Sequence, residues 1–253
     1  MKQLNLFTLL ALLAVGGCAS DDGPSSANGE GTMQVRMVDA PASSYDSVII
    51  TVTDVSVHSN TSGWITLSSG VRTYNLLALV NGAEAVIGEA KLSTGLYSQL
   101  RLTLSDSCWV YAGGVRLSLK VPGDQIILNI HAELSANVTT SLVLDFDAGR
   151  SLVMTGAGLV MKPVIRVLST SSTGYIQGIV NVRSSVTAYG NGDTLGTVTG
   201  ANNSFRIMYA KPGTYSLTIV SGNAMFYDTT LTNISVVSGQ TTNVGMITLR
   251  AKL

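Results

Sequence analysis

The stretch Tyr97-Ser-Gln-Leu-Arg-Leu-Thr-Leu104 determines the fold class, because polar and apolar residues alternate along it. In an extended chain its leucines lie on one side, opposite Gln99, Arg101 and Thr103. An alternation with a period of two predicts a β-strand that is buried on one face.

Similar patterns extend to both sides of this stretch. Strands are predicted at residues 32–38, 47–57, 63–67, 108–111, 115–121, 125–131, 141–146 and 159–168. Gly113-Gly114 predicts a hairpin turn between two of them. Residues 74–80 favour a single helical turn, and residues 84–92 fit either a helix or a strand. Long strands with one weak helix predict a β-sandwich or a partly open barrel over residues 32–169.

The polar run Ser169-Thr-Ser-Ser-Thr-Gly174 breaks this pattern and predicts a domain boundary. Seven short strands are expected in residues 170–253, with a strong turn at Gly190-Asn-Gly-Asp193. So many strands in so short a segment predict a small immunoglobulin-like or transthyretin-like sandwich. The predicted fold class is all-β, a larger sandwich or partly open barrel followed by a smaller sandwich.

One local pattern occurs in both halves of the chain. Gly95 precedes Tyr97 by two residues, and Gly213 precedes Tyr215 in the same way. We predict that each tyrosine opens a strand, buries its ring and hydrogen-bonds to the backbone, like the tyrosine corner of β-sandwiches. Their role is expected to be structural.

The amino terminus predicts export. Lys2 is followed by a mostly apolar run over residues 4–15, which is too short to span a bilayer because a spanning helix needs about 20 residues. This pattern indicates a signal peptide over residues 1–17. Residues 18–31 are small, polar and glycine-rich, so they predict a flexible tether.

Val15-Gly-Gly-Cys18 resembles a bacterial lipobox. The resemblance implies cleavage before Cys18, with lipid on its sulfur and an acyl chain on its new amine, and several chains together anchor a protein stably. No aspartate follows Cys18 directly, which by resemblance to the Gram-negative sorting rule implies the outer membrane, with the folded part in the periplasm or at the surface. The alternative is an ordinary signal peptide with an incidental cysteine.

Composition argues against several functional classes. Charged residues make up only 12% of the chain and the formal net charge is zero, so there is no basic footprint for nucleic acid. The only histidines are His58 and His131, and neither is near a Gly-x-Ser-x-Gly motif. Paired acids for glycoside cleavage depend on spatial distance, so sequence alone leaves them open. We expect a protein without enzymatic activity.

Only one cysteine remains if Cys18 is lipidated, so Cys108 has no partner for a disulfide within the chain. We expect it to be a buried small apolar residue beside Trp109. A reactive thiol is the alternative, although no activating basic group is near it in sequence.

Leu142-Val-Leu-Asp-Phe-Asp-Ala148 is the most suggestive cluster for ligand binding. If the leucines and Phe146 face the core, Asp145 and Asp147 share the opposite face, where their charges repel. Either a salt bridge from Arg150 or Lys162 or a bound calcium ion would neutralise them. Calcium is the only cofactor that this cluster suggests, and further acidic ligands would come from Asp39, Asp46, Asp54 and Asp106. Asp39 more simply caps its own turn.

Six ordered blocks over residues 32–168 resemble the domain of unknown function 4382 family of bacterial lipoproteins. They are Val35-Arg-Met-Val-Asp-Ala-Pro41, Tyr45-Asp-Ser-Val-Ile-Ile-Thr-Val-Thr-Asp-Val55, Tyr74-Asn-Leu-Leu77, Gly95-Leu-Tyr-Ser-Gln-Leu-Arg-Leu102, Leu144-Asp-Phe-Asp147 and Lys162-Pro-Val-Ile-Arg166. Asn75 departs from the pattern, since an aspartate is expected there. The resemblance implies an architecture and a location but no established activity.

The carboxy-terminal part resembles carboxypeptidase regulatory-like modules, which are small non-catalytic sandwiches. The blocks that carry this resemblance are Gly174-Tyr-Ile-Gln-Gly178, Ser204-Phe205 and Pro212-Gly-Thr-Tyr215.

Three functions follow as hypotheses. The first is a non-catalytic, membrane-anchored lipoprotein that binds an envelope protein or polysaccharide. Exposed aromatic residues on one sheet would favour a glycan, and the candidates, which could instead pack in the core, are Trp64, Trp109, Tyr111 and Tyr189. The second is a structural subunit of a surface assembly built by strand addition, which needs an unprotected edge strand. The third is a hydrolase acting on envelope or extracellular polymer.

Overall fold

The computed structural model describes residues 29–40 and 45–252, and in these residues the protein is all-β. The first twelve strands are β1 (Glu30–Asp39), β2 (Ser47–Ser59), β3 (Gly63–Asn75), β4 (Ala85–Ser93), β5 (Gly95–Leu104), β6 (Trp109–Ala112), β7 (Val115–Lys120), β8 (Gln125–Leu134), β9 (Thr139–Phe146), β10 (Leu152–Thr155), β11 (Gly158–Met161) and β12 (Ile165–Ser169). A short helix, α1 (Ala148–Ser151), follows β9. The predicted signal peptide and Cys18 lie outside the described residues. The predicted tether over residues 18–31 also lies outside them up to residue 28, but its last two residues, Glu30 and Gly31, belong to β1, so the tether is shorter than predicted.

These strands form the larger sandwich. One sheet has the order β12-β9-β1-β4, and the other has the order β10-β11-β7-β6-β2-β5-β8, with β3 also paired to β2. Met33, Val35 and Met37 of β1 are fully buried and pack in one core with Val48 and Ile50 of β2. The alternation read from the sequence therefore marks the face of each strand that meets the opposite sheet.

The smaller sandwich contains seven strands, as predicted. They are β13 (Gly174–Val180), β14 (Ser184–Gly190), β15 (Asp193–Val198), β16 (Ser204–Ala210), β17 (Gly213–Ser221), β18 (Thr229–Val236) and β19 (Thr241–Ile247). Sheets of order β16-β13-β19 and β15-β14-β17-β18 enclose a separate core, which includes Phe205, Tyr215 and Leu217.

Both predicted tyrosine corners are present. Tyr97 is 2% exposed and its hydroxyl donates to the carbonyl of Ser93 at 2.9 Å. Tyr215 is 1% exposed and donates to the carbonyl of Lys211 at 3.0 Å. Each hydroxyl thus reaches the residue four positions earlier, which ties the strand to the chain that enters it. The Gly113-Gly114 hairpin is also confirmed, with both glycines at positive φ.

The structure corrects several predicted elements. The single strand expected at residues 159–168 is wrong, because Pro163 separates β11 and β12, which belong to different sheets. The short strand expected at 63–67 continues to Asn75, so only Leu76–Ala78 of the predicted helix forms a turn, of the 3-10 type. Residues 84–92 form a strand, β4.

Candidate functional site

The two sandwiches meet at a polar junction. The carboxy-terminal ends of β1 and β9 and the loop around Asn81 face β15 and β16 of the smaller sandwich, and a cavity of about 90 Å³ lies between them. The charged residues that line it are Asp39, Asp145, Asp147, Arg150, Arg166 and Arg206. The acidic cluster singled out from the sequence is therefore part of this junction.

Asp145 lies opposite the core face of β9, as predicted, because Leu144 and Phe146 are fully buried. Its carboxylate forms an ion pair with Arg166, which is its cross-strand neighbour on β12. The prediction that Arg150 or Lys162 would neutralise Asp145 is wrong. Burial raises the pKa of Asp145, although Arg166 acts in the opposite direction.

Arg166 also connects the two sandwiches. Its Nη1 atom lies 3.0 Å from Oδ1 of Asp193 on β15, and Asp193 in turn lies 3.4 Å from Nζ of Lys211. The Arg166 guanidinium thus forms ion pairs with carboxylates from both sandwiches. The acidic motif in the sequence did not reveal this junction residue.

Asp147 has a different role from Asp145. Its Oδ1 atom accepts a hydrogen bond from the backbone N–H of Arg150 at 2.9 Å, so it caps α1. The Arg150 side chain is 3.7 Å from the Asp147 carboxylate, and this contact is largely exposed. The predicted pairing with Arg150 therefore holds for Asp147, as a weak surface interaction.

Asp39 is the most perturbed acid of the junction. It is 5% exposed, and its Oδ1 atom accepts a hydrogen bond from Ala148 N at 2.9 Å. The predicted cap of its own turn stays a prediction, because residues 41–44 lie outside the described residues. The carboxylate also reaches the start of α1, a contact that the sequence did not predict. Burial raises the pKa of Asp39 to about 7, with smaller contributions from the charges of Asp145 and Asp147, while the hydrogen bond from Ala148 lowers it.

Three buried polar atoms that line the cavity have no hydrogen-bond partner in the described part of the chain. They are Oδ2 of Asp39, Oγ1 of Thr197 and Nε of Arg206. Buried polar groups are costly unless they are paired. A cavity of this volume holds a few water molecules, which occupy about 30 Å³ each. Ordered water molecules are therefore the simplest hydrogen-bond partners that this cavity offers to the three atoms.

Calcium binding at Asp145 and Asp147 stays a prediction. Among residues 29–40 and 45–252, no group of three or more histidine, cysteine, aspartate or glutamate side chains is arranged to hold a metal ion. The other acids proposed as ligands accept hydrogen bonds near their own strands or loops. Asp46 accepts from Gly114 N, Asp54 from the Thr66 hydroxyl and Asp106 from the Ser105 hydroxyl.

Asn81 binds the edge of the smaller sandwich. Its side-chain amide accepts a hydrogen bond from Arg206 N at 2.7 Å and donates to the carbonyl of Ser204 at 3.3 Å. The amide thus imitates a peptide group of a neighbouring strand along β16. Asn81 also has a positive φ of 55°, which asparagine tolerates better than most residues. The sequence offered a turn signal at Asn81-Gly82 but no sign of this contact.

An Asn81→Gly variant tests this contact. Glycine accepts the positive φ without strain, so the substitution removes only the amide and its two hydrogen bonds. We expect a loss of about 1–3 kcal/mol in the free energy of unfolding, because the half-buried backbone groups of Ser204 and Arg206 lose their hydrogen-bond partner. Urea denaturation measures this, with Asn203→Gly as the control, since Asn203 also has a positive φ. An equal loss in both variants would contradict the assigned role.

The apolar part of the junction was not predicted. Val38, Val143, Leu168 and Tyr209 form a small buried cluster of their own. The Tyr209 hydroxyl donates to Glu84, which also pairs with Arg36. Burial raises the pKa of Tyr209, and its bond to Glu84 adds to this effect. These contacts hold the end of β16 against the larger sandwich.

Aromatic residues on the outer face of the large sheet form a second candidate site. Trp109 and Tyr111 alternate with the buried Val110 on β6, and both are half-buried. Arg116 of β7 lies over the Trp109 ring at 4.3 Å from its centroid. Of the four aromatic candidates, only Tyr189 belongs to the smaller sandwich, where it is 48% exposed.

Trp64 lies on the same outer face. It stands opposite His58 of β2, and the guanidinium of Arg101 is 4.2 Å from its ring centroid. The two rings of Trp64 and His58 meet edge to face at 5.2 Å. Neither tryptophan belongs to the buried core, so the alternative of core packing does not hold for them.

Cys108 is buried, as predicted. It is 3% exposed, and its Sγ atom donates to the carbonyl of Ser105 at 3.3 Å. Burial raises the pKa of the thiol, which disfavours the reactive thiolate. Cys108 therefore acts as a packed apolar residue and not as a reactive thiol. None of the helices in the described residues is long and apolar enough to cross a membrane.

Comparison with solved structures finds distant similarity to other β proteins. A type II cohesin–X-dockerin complex from Acetivibrio cellulolyticus shares 21% identity over 31% of this chain and 58% of that one, with a TM-score of 0.26. The minor pilin GBS52 of Streptococcus agalactiae shares 12% identity over 87% and 97% of the two chains, with a TM-score of 0.25. The Bacillus anthracis TIE protein shares 8% identity, and this chain spans 34% of its length, with a TM-score of 0.24. The chain thus spans only about a third to three fifths of the first two structures found.

No curated protein matches the chain. The family model described as "Domain of unknown function (DUF4382)" matches residues 30–163, a span that covers β1 to β11 and ends before β12. This span holds most of the larger sandwich and its aromatic face, together with Asp39, Asn81 and Asp145 of the junction. The chain belongs to the domain of unknown function 4382 family.

Proposed function

We propose that this protein is a non-catalytic lipoprotein of the bacterial outer membrane that binds an envelope polysaccharide through the outer face of its large sheet. One observation carries the choice of ligand. Trp109 and Tyr111 are half-buried on that face, where no strand packs over them in the described residues. Aromatic side chains in such positions offer apolar area together with a polar edge.

Location and anchoring rest on the sequence. The apolar run after Lys2, the lipobox-like Val15–Cys18 and the polar tether support a lipid anchor at Cys18. The smaller sandwich, with seven strands and a tyrosine corner at Tyr215, supports a carboxypeptidase regulatory-like module. On this proposal the module acts as a rigid companion of the binding domain, held by Asn81 and Arg166.

The chemistry around Trp109 suits a sugar with acidic groups. A shallow groove beside the ring is lined by Asp106, Ser107, Arg116 and Ser118. Hydroxyl and carboxylate side chains pair with sugar hydroxyls, and a guanidinium binds a carboxylate through two parallel hydrogen bonds. The apolar face of a sugar ring would pack on the indole where Arg116 swings aside to meet an acidic group.

The second aromatic cluster extends the same surface. Trp109 is paired with Ile49 of β2, and Trp64 is paired with His58, nine residues further along that strand. At about 3.3 Å per residue the two clusters are roughly 30 Å apart. Both contain an arginine, Arg116 or Arg101. An extended acidic polymer would therefore contact both, whereas a single sugar would contact one.

A binding assay tests this proposal. The lipidated full chain in detergent is titrated against acidic and neutral polysaccharides by calorimetry. We expect binding to the acidic polymer, and a loss of at least ten-fold in affinity for Trp109→Ala, because a buried aromatic contact commonly contributes more than 1.4 kcal/mol. Trp64→Ala is expected to weaken the binding of long polymers more than the binding of short ones.

Tyr189→Ala is the matched control, since it removes an exposed aromatic ring from the smaller sandwich. Unchanged melting temperatures establish that each variant is folded. Equal binding by wild type and Trp109→Ala, or no binding to any polymer, would refute the polysaccharide proposal. In-cell crosslinking that recovers one stoichiometric protein would favour a protein partner instead.

A further inference from the structure

We propose that two copies of this chain pair antiparallel through residues 125–129 of β8, so that the large sheet continues across a two-fold axis. β8 is the last strand of that sheet, and among the described residues it is paired only with β5. Backbone groups on its free side therefore have no strand partner, and an open edge of this kind is a template for another strand.

The sequence of this segment is uncharged and self-complementary. Gln125-Ile-Ile-Leu-Asn129 contains no lysine, proline or glycine, the residues that proteins commonly place on edges to prevent pairing. In an antiparallel pair centred on Ile127, Gln125 of one copy faces Asn129 of the other. Side-chain amides placed opposite each other form hydrogen bonds, and no like charges meet.

Apolar burial favours the same register. Ile127 is 52% exposed on the outer face, and the two-fold axis places it beside its own copy. On the core face Leu128 is only half-buried, because no strand within residues 29–40 and 45–252 flanks β8 on its free side. In the pair it would lie opposite Ile126 of the other copy, so both faces of the edge lose apolar surface to water.

A bulge limits the pairing to this segment. The register between β5 and β8 shifts between Tyr97/Ala132 and Gln99/Asn129, so β8 bends beyond Asn129. Near its far end the carbonyl of Glu133 already accepts the Thr140 hydroxyl at 3.2 Å. The regular and open part of the edge is therefore residues 125–129.

Other edges of the described sheets carry features that block pairing. β4 has Glu89 and Lys91, β15 begins with Asp193, and β19 is interrupted by Gly245 at a φ of 71°. β3 contains Gly70 and two register shifts against β2. β10 and β12 have only four and five residues. β18 is interrupted by Asn233, at a φ of 60° beside a register shift against β17, and β16 already binds the Asn81 amide. Among the described residues, the β8 segment is thus a long, regular edge that lacks such protection.

Membrane anchoring would assist a short interface. Gly29, where the described chain begins, packs beside Ala136, close to the end of β8. Lipid anchors on one surface raise the effective concentration of two copies, so a five-residue contact needs little intrinsic affinity. This step depends on the proposed lipidation, but the pairing surface itself does not.

An Ile127→Cys variant of the lipidated full chain tests the pairing in cells. Two cysteines at the centre of the axis face each other directly, within reach of a short bismaleimide crosslinker. Cys108 is buried and Cys18 would carry lipid, so neither interferes. We expect a crosslinked homodimer at least ten-fold more abundant than for Val71→Cys on the β3 edge, although Val71 is the more exposed position, at 74% against 52% for Ile127.

A second variant gives an independent measurement. Ile127→Lys places two positive charges opposite each other, and it should reduce the dimer fraction of detergent-solubilised protein in sedimentation velocity at least ten-fold. Binding of a short acidic oligosaccharide in the groove beside Trp109, which Ile127 does not line, should remain. A short ligand is used because Ile127 is paired with Arg101 of the second aromatic cluster. This readout separates the self-pairing from the proposed function. No excess dimer for Ile127→Cys over Val71→Cys, or crosslinks of Ile127→Cys to a different protein, would overturn the self-pairing.

Discussion

Replacing Asp39 with asparagine is expected to stabilise the protein at pH 8 by about 2–4 kcal/mol. Burial raises the pKa of Asp39 from 3.8 in the unfolded chain to about 7 in the folded protein, and each unit of difference corresponds to about 1.4 kcal/mol. The raised value means that folding favours the protonated acid. The contribution of Asp39 to the free energy of unfolding is therefore complete below about pH 4 and is lost progressively as pH rises through 7.

Asparagine at position 39 removes the part of the pH dependence that comes from this carboxyl group. It is neutral at all pH values, and its Oδ1 atom still accepts the hydrogen bond from Ala148 N that Oδ1 of Asp39 accepts. Urea denaturation at pH 5.5 and 8.5 should show a decrease in the free energy of unfolding with pH for wild type and a smaller decrease for Asp39→Asn. A residual slope is expected because burial also raises the pKa of Asp145.

Asp106→Asn provides the control, since this acid lies exposed in a loop and bonds to neighbouring serines. It should leave the pH dependence of wild type unchanged. A wild-type stability that rises between pH 5.5 and 8.5 would contradict the assignment of Asp39. So would an Asp39→Asn variant that is less stable than wild type at pH 8.5.

Replacing Cys18 with alanine is expected to abolish lipid attachment completely. The thiol is the only group of the lipobox-like motif that can carry diacylglycerol, and a signal peptidase that requires the modified cysteine would leave the precursor uncleaved. Metabolic labelling with an alkyne fatty acid, followed by recovery of the full chain, measures the change directly. Intact mass of the wild type should show removal of residues 1–17 and the added lipid.

Cys108→Ala is the matched control for this experiment. Cys108 is buried and lies far along the chain from the amino terminus, so its loss should leave labelling at the wild-type level. Labelling that persists in Cys18→Ala would contradict the lipobox interpretation, and so would a wild-type mass that shows cleavage without lipid. That second outcome would favour an ordinary signal peptide.

Local patterns in the sequence were sufficient to predict most of the strands, although not the length of β3 or the division of β11 from β12. Side chains of an extended chain alternate between two faces, so the polarity of residues such as Gln99 and Leu100 directly reports which face is buried. The tyrosine corners were predictable for the same reason, since Tyr97 and Tyr215 bond to carbonyls only four residues away. Both features depend on groups that are close in sequence.

Partners of the acidic cluster could not be predicted in this way. The sequence placed Asp145 and Asp147 on one face of a strand, but Arg166 reaches Asp145 only because β9 and β12 pair at those positions. Arg150 of α1 and Lys162 after β11 are nearer in sequence, but neither forms an ion pair with Asp145. Proximity along the chain therefore gave the wrong partner.

The sequence by itself determined the all-β class, the strand faces, the tyrosine corners and the burial of Cys108, because each depends on short-range geometry and local polarity. Tertiary structure alone decided where Pro163 divides β11 from β12, which edge of the large sheet stays open, and how Asn81 and Arg166 join the sandwiches. It also decided the environment of Asp39, whose Ala148 contact spans 109 positions. The physical reason is that sheet pairing and desolvation join residues far apart in sequence, and no local pattern encodes such neighbours.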